Sequence, residues 1–254
     1  MKGTIVLDVD GVILLGSEGI PGAGDALHHL DDAGYRIVIA TNNATRTPAE
    51  GAGRIERLTG YRPDPALVVT SSVAAAGMVT GDDEPVFAAA EPGMGETLRE
   101  CGVVLTDRIA DARTVIVGLD REFTYRRLAE AATAVIRGAR LIATNTDATF
   151  PTPQGPVPGA GALVAAVERA AGVAAEVAGK PHAPMGEAVA RLLGEGPVWM
   201  VGDRPETDLA FAHRCGWTPV LALSGVTTDA GAIPSEIAPE LVIDRLADLP
   251  GLLS

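Results

Sequence analysis

The chain has 254 residues, 47 % hydrophobic but only 4 % aromatic, and a formal net charge of −13. That charge excludes nucleic-acid binding, which rests on a surplus of Lys and Arg to neutralise phosphates, and any phosphate-bearing ligand must be drawn by a local positive site. No run of about 18 apolar residues is present to cross a membrane, no signal-peptide pattern opens the chain, and Cys101 and Cys215 have neither metal nor redox spacing, so a soluble, cytoplasmic protein with two core thiols is expected.

At this length a single large domain and a core with an inserted domain are both open. The first element, Gly3 to Gly11 (GTIVLDVDG), reads as a buried parallel strand that delivers Asp8 and Asp10 to its carboxyl end. Ligands of open α/β sheets bind at that edge. Residues two apart point the same way along a strand, so both carboxylates can share one side of its tip. Two such anions repel unless a cation lies between them or one keeps its proton, and a hard divalent metal is the expected remedy. Asp10-Gly11 is also a strong turn dipeptide.

The next stretch, VILLGSEGIP, is read as a loop, and Gly22 to Gly34 as a helix with Ala26, Leu27, Leu30 and Ala33 on one face. Arg36 to Ala40 is a second buried strand and ends in Thr41-Asn42-Asn43. A helix from near Pro48, a strand at Leu67 to Val69, the hydroxyls Thr70, Ser71 and Ser72, and a short helix follow. This βαβαβ grammar belongs to a doubly wound parallel sheet.

A polar, turn-rich break at Thr80 to Asp83 opens a second set of alternating elements that lasts to about Gly172. The original grammar resumes with Val177, a helix from about Pro184 to Leu193, the strand VWMVGD, a helix at Glu206 to Cys215, PVLAL, and a last strand near Leu241. The expected fold is α/β: a Rossmann-like doubly wound core over 1–80 and 178–254, with an inserted α/β cap domain over 81–177.

Four strand ends or the loops after them carry polar residues of different kinds: Asp8 with Asp10, Thr41 to Asn43, Lys180, and Asp203 with Asp208. Each alone could be a cap, a turn or a solvated loop residue. Together they supply carboxylates for a metal, a hydroxyl and amides for phosphate oxygens, and a cation for charge developing in a transition state.

In these motifs the chain resembles the haloacid dehalogenase superfamily of phosphohydrolases along its whole length. DVDGV is similar to the first motif, ATNN to the second, Lys180 in GKP to the third, and Gly202 to Asp208 (GDRPETD) to the fourth. The large insertion between the second and third motifs, with Asn145-Thr146-Asp147 through Pro158-Gly159-Ala160-Gly161, is similar to the α/β cap of subclass IIA, the nitrophenylphosphatase-like proteins.

The resemblance implies a phosphatase of small phosphomonoesters, such as phosphoglycolate, glycerol phosphate, pyridoxal phosphate, nucleotides or nitrophenyl phosphate. It makes Asp8 the nucleophile and Asp10 the acid and then the base. Mg2+ would be held by Asp8, by the main-chain carbonyl of Asp10 and by Asp203, with Asp208 behind them. Phosphoryl oxygens would be bound by Thr41, Asn42, Asn43 and Lys180. Selectivity falls to the cap loop, where Asn145, Thr146 and Asp147 can meet a hydroxylated leaving group and Pro151, Pro153, Pro156 and Pro158 limit flexibility. Arg204 and His182 receive no catalytic role, and a homodimer is left open.

A phosphoacceptor such as a receiver domain, or a regulatory phosphate-binding protein, is the rival reading. It would need neither a second acid at Asp10 nor an inserted domain. Dinucleotide binding is weaker: Gly159-Ala160-Gly161 and Gly22-Ala23-Gly24 lack the third small residue, since Val164 and Leu27 occupy that place.

Overall fold

The computed structural model describes residues 2–152, 155–231 and 233–253. The chain forms two compact units, one of Met1–Thr41, Pro48–Val69 and Met185–Ser254, the other of Asn42–Thr47 and Thr70–Pro184. The second unit takes in residues 42–47, 70–80 and 178–184 besides the stretch expected as a cap.

In chain order the elements are β1 (Gly3–Leu7), β2 (Leu14–Leu15), β3 (Glu18–Gly19), α1 (Ala23–Asp32), β4 (Tyr35–Thr41), α2 (Pro48–Thr59), β5 (Val68–Thr70) and α3 (Ser71–Ala76). They continue as β6 (Val86–Ala89), α4 (Pro92–Glu100), β7 (Thr114–Val117), α5 (Tyr125–Ile136), β8 (Arg140–Ala143), β9 (Thr149–Thr152), β10 (Gly155–Pro158), α6 (Ala160–Ala171), β11 (Glu176–Val177) and α7 (Ala183–Ala190). The chain closes with β12 (Val198–Gly202), a π-helical turn (Pro205–Leu209), α8 (Ala210–Cys215), β13 (Thr218–Ala222), β14 (Leu241–Ile243) and α9 (Leu249–Leu252).

The first unit is built on a six-stranded sheet in the order β14-β13-β12-β1-β4-β5. β1 runs parallel to β4 and β12, and β12, β13 and β14 pair in parallel. The chain works outward from β1 to β5, then returns to the other side of β1 and works outward again. The strand order therefore reverses between β1 and β12, which makes their carboxyl ends the crevice where a doubly wound sheet binds ligands. All five residues of β1 are buried, as a strand covered on both faces requires. Ile5 and Leu7 pack in one core with Ile37 and Ile39 of β4, Val201, Val220, Leu27 and Leu30 of α1 and Ile55 of α2.

Two parts of this unit differ from the sequence expectation. VILLGSEGIP is not irregular, because β2 and β3 form a small antiparallel hairpin across Gly16-Ser17, a pairing that suits a two-residue turn with positive φ at its first position; Gly16 has φ 59. The helix expected from Glu206 begins instead with one π turn, a feature that recurs at functional sites.

The second unit carries its own parallel sheet, β11-β8-β7-β6. Phe87, Val115, Val117 and Leu141 of the strands pack with Ala134 and Val135 of α5 and Val164 and Val167 of α6. The Pro/Gly-rich stretch expected as a loop forms the antiparallel pair β9–β10, with Pro151 opposite Pro156. A two-stranded ribbon consists only of edge strands, and there prolines do not break a shared ladder. Pro153 lies outside the described residues. Cys101, expected in the core, is exposed at the end of α4.

Candidate active site

Three carboxylates meet in the first unit at the point where the sheet order reverses. Asp8 follows β1, its N–H donating to the Val201 carbonyl at 3.0 Å, and Asp203 follows β12. Asp8, Asp203 and Asp208 each offer an oxygen within 4.8 Å of the others. Asp8 is 9 % exposed, and Asp203 and Asp208 are 1 %. At an effective dielectric of ~20, two unit charges 4.8 Å apart repel by about 3 kcal/mol, so three ionised carboxylates would cost on the order of the whole stability of a domain.

Part of that charge is already met by main-chain amides. Asp208 Oδ2 accepts from the N–H groups of Asp203 and Arg204, both at 3.1 Å, so the π turn folds the Asp208 carboxylate back under its own strand end. Asp203 Oδ2 accepts from Val226 N–H at 2.6 Å. The chain leaves room for Asp203 on both sides: a Cβ at Gly225 would stand 2.5 Å from its Cγ, and one at Gly11, where φ is +94, would also fall on the carboxylate.

This all-oxygen, anionic donor set, with its clearance kept by glycines, fits a hard divalent cation, which takes oxygen ligands and tolerates a site with few protein groups. Asp203 commits one oxygen to the Val226 N–H. Asp208 spends one oxygen in bracing the loop.

Asp10 lies one residue past the buried part of the strand, and its side chain is 48 % exposed. Its neighbours include a residue that the sequence reading missed. Arg54 of α2 stands 3.7 Å from Asp10 Oδ1, with its own side chain 18 % exposed, and also donates to the Gly16 carbonyl in the β2–β3 turn. No spacing rule connects residues 10 and 54. They meet because α2 packs against the β2–β3 hairpin that follows Asp10 in the chain.

The second unit gathers another part of the expected constellation. Asn42 Oδ1 accepts from Lys180 N–H at 2.7 Å, and Asn42 Nδ2 donates to the Lys180 carbonyl at 3.1 Å. The Asn42 carbonyl accepts from Ser71 Oγ at 2.7 Å and from Asn145 Nδ2 at 2.8 Å. Asn145 Oδ1 takes the Asp147 N–H at 3.1 Å, so both ends of the Asn145 amide are engaged, and the residue is 6 % exposed. Asp147 Oδ2 lies 3.5 Å from Asn42 Nδ2.

Asn43 Oδ1 caps its own turn, accepting from the N–H and the hydroxyl of Thr45 at 3.0 and 2.7 Å. Thr41 is the buried last residue of β4. Lys180 is 4 % exposed. His182 closes a tight turn through its N–H to the Gly179 carbonyl at 2.9 Å. Asn145, expected in the selectivity loop, is thereby tied to the second motif through the Asn42 carbonyl.

Comparison with known proteins accounts for this arrangement. Residues 5–104 match a family model described as haloacid dehalogenase-like hydrolase, and residues 177–249 match one described as HAD-hydrolase-like. Chronophin of Rattus norvegicus is 36 % identical over 268 residues, covering 96 % of this chain and 86 % of that protein. The p-nitrophenyl phosphatase of Archaeoglobus fulgidus superposes with a TM-score of 0.89 at 30 % identity over 99 % of both chains. A glycerol phosphate phosphatase of Mycobacterium tuberculosis, solved in complex with magnesium, does so with 0.88 at 31 % identity over 98 % of this chain and 79 % of that one. The chain belongs to the haloacid dehalogenase-like hydrolases, within subclass IIA, and is a phosphatase, a phosphoric monoester hydrolase.

Proposed function

We propose that the protein hydrolyses small soluble phosphomonoesters in the cytoplasm through a phosphorylated Asp8, with Mg2+ as its metal. The observation that carries this reading is the position of Asp8 at the carboxyl end of β1, at the reversal of the sheet and within 4.8 Å of the Asp203 and Asp208 oxygens. In the first step an Asp8 carboxylate oxygen forms a bond to phosphorus while the bond from phosphorus to the ester oxygen breaks, and Asp10 gives its proton to the departing alcohol. In the second, Asp10 takes a proton from water as that water attacks phosphorus. The bond to Asp8 then breaks, releasing phosphate and restoring the carboxylate.

Asp8, Asp203 and the Asp10 main-chain carbonyl would hold Mg2+, whose positive charge would lower the repulsion between the attacking carboxylate and a phosphate dianion. Thr41 and the main-chain N–H groups of Asn42 and Asn43 bind phosphoryl oxygens, as amides at strand ends do. Lys180 balances charge on the transferring group. The exposure of Asp10 suits a group that must trade protons with an alcohol and then with water, and Arg54 limits the directions its carboxylate can take.

Residues 81–177 act in this reading as a cap that excludes water from the first step and opens for release. Selectivity among glycerol phosphate, nucleotide, phosphoglycolate and aryl phosphate substrates comes from the 145–161 loop, through Thr146, Asp147 and the β9–β10 ribbon. The test is phosphate release from a panel of such esters with and without Mg2+, together with acid-quenched mass spectrometry of the Asp8 peptide. Turnover with a transient phosphate on Asp8, lost in Asp8→Asn, is expected. A stable phosphate on Asp8 without turnover would mark a phosphoacceptor instead.

A further inference from the structure

We propose that Asn42 is a positioning residue whose side-chain amide sets the main chain of Lys180, and that Asn145 and Ser71 hold Asn42 in place for this task. The proposal rests on the reading that Lys180 meets the transferring phosphoryl group.

The geometry is that of a peptide pairing with a peptide. Beyond β11 the chain continues alongside β8, with Ala178 N–H on the Ala143 carbonyl at 2.9 Å and Gly179 N–H on the Thr144 carbonyl at 2.8 Å. At Lys180 that ladder ends, and the Asn42 amide takes over, accepting from the Lys180 N–H and donating to its carbonyl. Only a carboxamide offers an acceptor and a donor at this spacing; aspartate has no N–H to give, and leucine has neither. The approach is close enough that a Cβ at Gly179 would stand 2.5 Å from Asn42 Oδ1 and 2.6 Å from the Thr144 carbonyl oxygen.

Asn42 is itself fixed from the other side. Its carbonyl receives the Ser71 hydroxyl from the start of α3 and the Asn145 amide from the end of β8. Ser71 is fully buried and Asn145 nearly so. Three chain segments, those of the second motif, of α3 and of β8, are therefore cross-linked at one residue, which in turn sets the Cα of Lys180. A lysine on a flexible stem is placed only as well as its Cα, and an error of about 1 Å in a group that meets a transition state can cost 10²-fold in rate.

The experiment is a double-mutant cycle on the full chain with p-nitrophenyl phosphate and Mg2+, joined to hydrogen exchange. Asn42→Ala is expected to lower kcat by roughly 10- to 100-fold with little change in KM, and Lys180→Ala to lower it further. The double variant should match Lys180→Ala alone, because one residue acts through the other. The Lys180 amide should exchange faster in Asn42→Ala while Ala143 in β8 stays protected. Asn42→Asp, which keeps the acceptor and loses the donor, should show the same non-additivity and serves if the alanine variant fails to fold. Multiplying losses in the double variant, or an unchanged Lys180 amide, would overturn the proposal. Full activity in Lys180→Ala would instead overturn the underlying role of Lys180, while the exchange result still reports on the clamp.

Discussion

Gly225→Ala probes the metal site without touching a carboxylate. The new Cβ would lie 2.5 Å from Asp203 Cγ and 2.6 Å from its Cβ, and Asp203, 1 % exposed, has no solvent into which to swing. Either the loop after β13 withdraws or the Asp203 carboxylate turns, and both outcomes break its 2.6 Å bond from Val226 N–H. Overpacking of this kind costs about 1–3 kcal/mol, which corresponds to a fall in Tm of roughly 2–12 °C for a protein of this size. A displaced support of a metal ligand typically lowers metal affinity or activity by about 10- to 100-fold. Calorimetric titration with Mg2+ alone, without substrate, reads the first effect, and phosphate release at saturating Mg2+ reads what remains. Gly81→Ala is the control, since a Cβ there meets nothing within 4 Å. A folded Gly225→Ala protein with native Mg2+ affinity and native turnover would refute the placing of the cation against Asp203.

Mg2+ at 100 times its Kd should stabilise the native protein by about 2.7 kcal/mol, seen as a rise in Tm that chelator reverses; Asp203→Ala should lose that rise, and a rise that persists would place the cation elsewhere. Asn145→Ala should lower turnover of every substrate by a common factor, because its amide serves Asn42 and the Asp147 main chain; a changed ranking of substrates would restore it to the selectivity loop. Tyr61, which lies 3.4 Å from Asp31 Oδ2, has its phenol pushed up to about 12 by burial and then by Asp31. Because the folded protein favours the protonated phenol, this contribution to stability is complete below pH ~10, the ordinary phenol pKa, and is lost as pH rises through about 12. Spectrophotometric titration of tyrosinate should show a late step that Tyr61→Phe removes, and an early step for Tyr61 would show the phenol to be solvated.

The sequence alone determined the class of the fold and picked out the three carboxylates, Asp8, Asp203 and Asp208, that the structure brings together. A short apolar run such as Ile5 to Leu7, stopped by turn residues, reads as a strand covered on both faces, and the alternation of such runs with amphipathic helices points to a parallel sheet. The carboxylates after β1 and β12 were legible for the same reason: functional groups collect where these runs stop. Helix interiors, whose periodic patterns are strong, were located within a few residues, as with Ala160–Ala171.

What the tertiary structure decided were the partners of these groups. The reversal of strand order that sets β12 beside β1 is a property of sheet assembly, and only that adjacency brings Asp203 within reach of Asp8. The ion pair of Asp10 with Arg54, the use of Gly225 to clear space for Asp203, and the hydrogen bonds of the Asn42 and Asn145 side chains to the chain's own backbone all join residues far apart in sequence. A side-chain amide looks the same in sequence whether its donor and acceptor face a ligand or a strand end. The difference lies in which buried main-chain groups would otherwise go unsatisfied, and packing alone settles that.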